Sequence, residues 1–308
     1  MTKDYVVASF RAYRGPADAK IMAKLMQCDF TENDDHRPFS VLYQGIENKA
    51  NGRNALILDK HGYIRLFAEG KYCFLRFDLE KSKRTKDNIK LFLQQIQHIS
   101  CRSNKNIRAV LLGDSGWKHR LLQALDFTQV RYFFEMERTK KVISWDDKGL
   151  QRHGLRLEGF TPDLDIKQFN RCYNKVFAND FEHTPTSCAD WKGDIKNGEI
   201  TKDTLFLIKE RRDDIVGFLI LSHYLHRQGS RRFGFIEDLG IKRQYRGKGL
   251  GTVLLQYGVK KLQETHHVRP VRLHVDTENE SNALQLYRKN GFEPVRKTIE
   301  YQYPLSKK

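Results

Sequence analysis

The sequence predicts a mixed α/β chain built as two similar halves, and three observations predict it. A strand-like run, "FGFIEDLGI", leads through the glycine-spaced "YRGKGLG" into an apolar repeat of helical period. Downstream, "VRPVRLHVDTENESNALQLYRKNGFEPVRKTIEYQY" reads as strand, polar turn, short helix, turn and strand. The same order recurs upstream in "SNKNIRAVLLGDSGWKHRLLQALDFTQVRYFFEMERT", where Phe127 stands 165 residues ahead of Phe292. With 308 residues and 39% hydrophobic content, the chain is long enough for two cores.

Taken in order, the first half offers the strand in "YCFLRFDL" and then a helix with Ile89, Phe92, Leu93 and Ile96 on one face. The connecting "EKSKRTKDN" keeps the charge through Lys81, Lys83, Arg84 and Lys86 but has no glycine. Leu122 takes the place that Tyr287 holds in the second half. The polar, charged "TKKVISWDDKGLQRHG" is the expected join, giving domains 1–145 and 146–308. After the strand "LRLEGF", residues 177–199 form a turn-rich segment in which His183, Asp190 and Trp191 are candidates for substrate contact. The strand before the glycine loop carries Glu237 and Asp238, which alternation sends to opposite faces. Beyond the loop, Leu250, Val253, Leu254, Tyr257 and Leu262 mark the buried face of a helix.

Composition narrows the classes. Five scattered cysteines without a C-x-x-C pair suggest neither a disulfide framework nor a zinc site, and a reducing cytoplasm is the expected location. Cys172 and Cys188 lack any activating motif. His266 and His267 have no partner at metal spacing and read as helix-end residues, so no metal is expected. The first residues have no signal-peptide core, and no apolar run approaches the ~18 residues of a membrane span, so no membrane partner is expected. A net charge of +17 favours anionic ligands without choosing among them. Nucleic acid is admitted by charge but has no RRM, KH or zinc-finger signature behind it.

The glycine loop supplies chemistry. Glycines at a helix N-terminus let successive N–H groups turn towards a phosphate without Cβ clashes. The neighbouring charges Lys242, Arg243, Arg246 and Lys248 are all basic. A Walker A loop is absent, and the spacing G-x-G-x-G departs from the Rossmann fingerprint. The pattern R-x-x-G-x-G formed by Arg246, Gly249 and Gly251, followed downstream by Asn279 and "LY…GF" (Leu286, Tyr287, Gly291, Phe292), resembles the GNAT superfamily of acyl-CoA N-acyltransferases. The resemblance covers about the last 155 residues. Together with the internal repeat it implies two tandem GNAT folds, each a twisted mixed sheet flanked by helices, with the equipment confined to the second.

The resemblance implies an N-acetyltransferase that moves an acetyl group from acetyl-CoA to a primary amine of a small molecule or peptide, by direct attack on the thioester. It assigns coenzyme A to Leu239, Gly240, Ile241, Arg246, Gly247, Lys248, Gly249, Leu250, Gly251, Thr252, Asn279 and Tyr287. Tyr287 becomes the expected acid for the departing thiolate and Glu237 the expected base. Residue chemistry alone also allows ion pairing for the two acids and simple packing for the tyrosine. The rival class is a basic module that retains coenzyme A while binding nucleic acid or ribosome without catalysis. Neither the acceptor nor the oligomeric state is legible.

Overall fold

The computed structural model describes residues 10–28, 55–58, 60–69, 72–100, 105–113, 116–141, 145–181, 183–225, 232–265, 268–279 and 281–303. Cys101, His266 and His267 lie outside the described residues. The chain divides into two compact units, one made of residues 1–132 with 297–308 and the other of 133–296. Each is a mixed sheet with helices on both faces.

In the first unit the strands run in the order β1 (Phe10–Ala12), β2 (Ala55–Leu58), β3 (Gly62–Glu69), β4 (Tyr72–Leu79), β5 (Asn106–Leu112) and β12 (Glu293–Tyr303). All neighbours are antiparallel except β4 and β5. Helix α1 (Pro16–Cys28) packs Met22 and Ala23 on one face with Ile57 and Tyr63. Helices α2 (Lys86–Ser100) and α3 (Gly116–Gln123) cover the other. The helical spacing of Phe92 and Ile96 puts both in that core with Leu75, Phe77 and Leu122. Each such side chain, fully buried, contributes about 1.5–3 kcal/mol.

The second unit has the order β6 (Thr128–Arg138), β11 (Val271–Asp276), β10 (Arg232–Ile241), β9 (Ile215–Leu225), β8 (Leu205–Lys209) and β7 (Arg156–Gly159). Helices α5 (Pro162–Phe177) and α6 (Cys188–Lys196) bury Phe169, Cys172 and Trp191 against Leu207, Phe218 and Ile220. On the opposite face α7 (Leu250–Thr265) and α8 (Ala283–Lys289) pack Leu254, Leu262 and Tyr287 over Leu219, Ile236 and Leu273. A short α4 (Lys148–Gln151) adds Leu150 to that cluster.

The two closing strands are exchanged. Residues 298–303 of β12 complete the first unit's sheet beside β5, and residues 133–138 of β6 complete the second unit's sheet beside β11. Among the described residues no helix is long and apolar enough to cross a membrane, and no cluster of three or more His, Cys, Asp or Glu could hold a metal ion.

Candidate active site

The site begins with an irregularity in β10. Its pairing with β9 runs without a break from Arg232 to Ile236, skips Glu237, and resumes from Asp238 to Ile241. One extra residue on one strand is a β-bulge, which bends the strand and disturbs the alternation of side chains. Pairing of β10 with β11 covers only Gly234 to Ile236. Past that point the parallel neighbours separate, and a cleft of about 490 Å³ opens between them, walled by Glu237 to Ile241 on one side and His274 to Asp276 on the other. Its size is that of a site for a small ligand.

Alternation sends one of Glu237 and Asp238 away from the site, but both line the cleft, because the bulge interrupts the alternation. Glu237 is exposed and accepts a hydrogen bond from Ser222. Asp238 faces α5, where Tyr173 Oη donates to its Oδ2 at 3.2 Å. Burial raises the Asp238 carboxyl to about 6, with Glu237 and Asp180 adding to the rise and the Tyr173 bond opposing it. Tyr173 sits in a ring cluster with Phe177, Trp191 and Phe218, and its own pKa is raised, first by burial and then by Asp238.

The glycine loop closes the other end. After β10 a single 3-10 turn, Arg243–Tyr245, is locked by Arg246, whose Nε donates to the Ile241 carbonyl at 3.0 Å. Gly247 and Gly249 both have φ of +78°, and α7 begins at Leu250. Among the described residues the backbone N–H groups of 247–252 make no hydrogen bond. A run of unsatisfied donors at the positive end of a four-turn helix is a ready seat for a phosphate group. A Cβ on Gly249 would meet nothing within 4 Å, so the glycine answers a backbone need and leaves the concavity open. Gly251 has a different reason: a Cβ there would stand 3.2 Å from Leu286, so the small residue allows α7 and α8 to approach.

Leu239, Gly240, Ile241, Arg246, Gly247, Gly249, Leu250, Gly251, Thr252, Asn279 and Tyr287 all line this cleft. Lys248 does not; its Nζ lies 5.2 Å from the centre of the Tyr245 ring. The Asn279 side chain accepts from Ser281 N at 2.7 Å and donates to Asp180 at 3.5 Å, so it also shapes the turn before α8. Tyr287 is 7% exposed and meets Phe292 edge to face at 6.0 Å. Among the described residues its hydroxyl makes no hydrogen bond. Burial raises its pKa, with Asp238 and Asp180 adding to the effect, so the hydroxyl keeps its proton.

The turn-rich segment 177–199 contributes mainly Phe177 and Asp180. Trp191 is a core residue bonded to Asn170, and Asp190 completes a capping box with Ser187 at the start of α6. His183 lies tilted against Tyr173 and Phe177, both at 6.2 Å between ring centres, and does not line the cleft. Burial pushes the Cys172 thiol up to about 11, the opposite of an activated nucleophile. Sequence reasoning missed Asp180, Tyr173 and the role open to Asp238; an acid three residues past α5 and an aromatic on it carry no motif.

The first unit repeats the turn without the cradle. Arg84 Nε donates to the Leu79 carbonyl at 2.9 Å, five residues back, as Arg246 does to Ile241. Helix α2 then starts at Lys86, only two residues on, and among the described residues no φ in 80–88 is positive. By this register Asp78 takes the place of Gly240, and Lys118, by the repeat on α3, that of Ala283. Lys118 Nζ donates to Asp78 at 3.0 Å with both side chains at most 5% exposed, and Arg84 stacks 4.8 Å over Trp117. A buried ion pair fills the position of the groove. Asp78→Ala removes the buried carboxylate that both Lys118 and Arg84 face and is expected to cost about 3 kcal/mol in denaturant titration. The paired change Asp78→Leu with Lys118→Met is expected to cost less.

A splayed parallel pair, a bulged central strand and an open-amide glycine loop at a helix start together shape this cleft. Residues 167–292 match the Acetyltransferase (GNAT) family model. A mycothiol acetyltransferase of Renibacterium salmoninarum is 29% identical over 150 residues, covering 49% of this chain and 44% of that protein. The mycothiol acetyltransferase of Paenarthrobacter aurescens is 26% identical over 203 residues, covering 63% and 61%. The chain thus spans less than two thirds of the length of these relatives. Among solved structures, a GCN5-related N-acetyltransferase from Sphaerobacter thermophilus aligns with a TM-score of 0.73 at 20% identity over 96% of this chain and 94% of its own. A tandem GNAT protein from the clavulanic acid biosynthesis pathway aligns at 0.68 and 11%, over 97% and 99%. Both share the fold.

Proposed function

We propose that this chain transfers the acetyl group of acetyl-CoA to a primary amine, with the second unit holding the donor. The observation that carries this reading is the meeting, in one cleft, of the open amides of 247–252 with Asp238, Glu237 and the unpartnered hydroxyl of Tyr287. The residues fit the donor. The loop amides and Arg246 would hold the pyrophosphate, and the free edge of β10 at Leu239 and Ile241 would pair with the amides of the pantetheine arm. When bound, acetyl-CoA supplies an acyl group activated as a thioester.

The chain's own groups then have separate tasks. Asp238 or Glu237 takes a proton from the acceptor nitrogen, directly or through water, and Tyr287 Oη gives one to the departing sulfur. Asp180, Glu237, Asp238 and Asp276 all face the cleft, and this acidic wall in a basic protein supports an acceptor that arrives as a cation. The names of the relatives support acetyl as the acyl group. Incubation with acetyl-CoA and a panel of amines, following free thiol, tests the reading; no amine-dependent thiol release from a protein that binds coenzyme A would overturn it.

A pH series separates the two carboxylates. With its pKa near 6, Asp238 is a carboxylate at neutral pH, and turnover that depends on it should fall as the pH drops below about 6. Asp238→Asn is expected to lower turnover about a hundredfold and to abolish that acid limb, whereas Glu237→Gln should keep the limb. Stability moves the other way. Because the folded pKa lies above the usual unfolded value of about 3.9, the ionised form is penalised as pH rises from about 4 through 6. Asp238→Asn should therefore melt higher than the parent at pH 7 and close to it at pH 4. A variant with unchanged melting at pH 7 and an intact limb would return the base role to Glu237.

A further inference from the structure

In the first unit β3 and β4 pair without a bulge, from Gly62 opposite Leu79 to Glu69 opposite Tyr72. The arginine-locked turns set the correspondence with the second unit. Leu79 matches Ile241 and Gly62 matches Gly217, so Arg76 stands where Asp238 stands, and Arg65, directly opposite it, where Ile220 stands. Where the second unit has one carboxylate against an apolar neighbour, the first has two guanidinium groups side by side.

Arg65 is 7% exposed. Among the described residues neither Arg65 nor Arg76 has a hydrogen bond or an ion pair at its side chain. Tyr13 and Tyr63 lie near Arg65, and each guanidinium lies over Phe67, at 5.1 and 5.3 Å from the ring centre. Burying a cation without a counter-charge costs more than a ring face returns, and two like charges add repulsion. Arginine has no escape through deprotonation. Burial and Arg76 hold the Arg65 pKa below its ordinary value without making it neutral. The same sheet pairs its other buried guanidinium normally, Arg108 with Glu300 at 3.2 Å. The Arg65–Arg76 pair therefore sets two cations together with no carboxylate paired to either among the described residues.

We propose that Arg65 and Arg76 form a binding site in the first unit for the phosphate of a phosphate monoester. The dianion balances two fixed cations, whereas a carboxylate would leave one unmatched, and tetrahedral oxygens suit the guanidinium forks. Phe74, stacked on Phe67 at 5.7 Å beside the pair, offers a ring for contact with a planar ester group. This site is independent of the acetyl-transfer reading.

Phenyl phosphate is a direct probe, titrated by calorimetry with the second unit's cleft kept saturated with coenzyme A. One further equivalent is expected to bind, more tightly than inorganic phosphate because of the ring. Arg76→Gln, at an exposed position, should weaken it about tenfold or more while coenzyme A affinity is unchanged. Arg65→Gln should raise the melting temperature in phosphate-free buffer and remove the stabilisation that phosphate gives the parent at matched ionic strength. An equal loss of affinity in Arg212→Gln, an exposed arginine of the second unit, would reduce the effect to general charge and overturn the proposal. So would the absence of binding by the coenzyme A-saturated parent.

Discussion

A Gly249→Val protein is expected to bind coenzyme A at least about a hundredfold more weakly than the parent while keeping its fold. Gly249 holds φ at +78°, where a β-branched residue is a genuine outlier, and the strain is on the order of 1–2 kcal/mol. Nothing lies within 4 Å of the new Cβ, so the protein does not resist the side chain; the loop relieves the strain by turning its amides. Those amides are the donors left open between 247 and 252, and losing two or three charge-assisted bonds accounts for the hundredfold. Gly251→Ala, by contrast, meets only the flexible end of Leu286 at 3.2 Å and should be mild. Calorimetry with circular dichroism checks both. The parent should take one equivalent, since the Asp78–Lys118 pair fills the matching place in the first unit. A folded Gly249→Val protein of normal affinity would sink the phosphate assignment for this loop.

Tyr287→Phe should reduce turnover by roughly a hundredfold with little change in acetyl-CoA affinity. The ring keeps its contact with Phe292, and among the described residues the hydroxyl has no hydrogen bond to lose, so the fold is spared. What disappears is the proton that the departing thiolate would take. An acetyl donor with a more acidic thiol needs that proton less, and its turnover should be partly restored in the variant. Equal defects with both donors would make Tyr287 a packing residue, with catalysis left to positioning and backbone polarisation.

The regular elements were legible because each rests on local pattern. Helix α7 follows from the spacing of Leu250, Leu254 and Leu262, and the missing cradle of the first unit from the missing glycines in 80–88. The bulge at Glu237 was not, since "FGFIEDLGI" reads as an uninterrupted strand and the extra residue is defined only by its partner β9. For the same reason alternation misjudged Asp238, whose raised pKa comes from burial under α5, more than sixty residues earlier in the chain. Lys248 reads as a ligand by membership of the loop; its side chain turns to Tyr245, which leaves that role to its backbone amide. The Arg65–Arg76 pair escaped notice because two arginines eleven positions apart become neighbours only through the β3–β4 register.

The exchange of closing strands sets an order of events on the ribosome. The second unit, residues 133–296, is complete once its own last residue has emerged, whereas the first must wait for residues 297–303 to cover the edge of β5. At ~5–20 residues per second the interval between Tyr132 and Lys297 is roughly 8–33 s. Throughout that time the β5 edge that residues 298–303 pair with keeps unpaired backbone groups. The half that lacks the glycine cradle is thus the last to be finished.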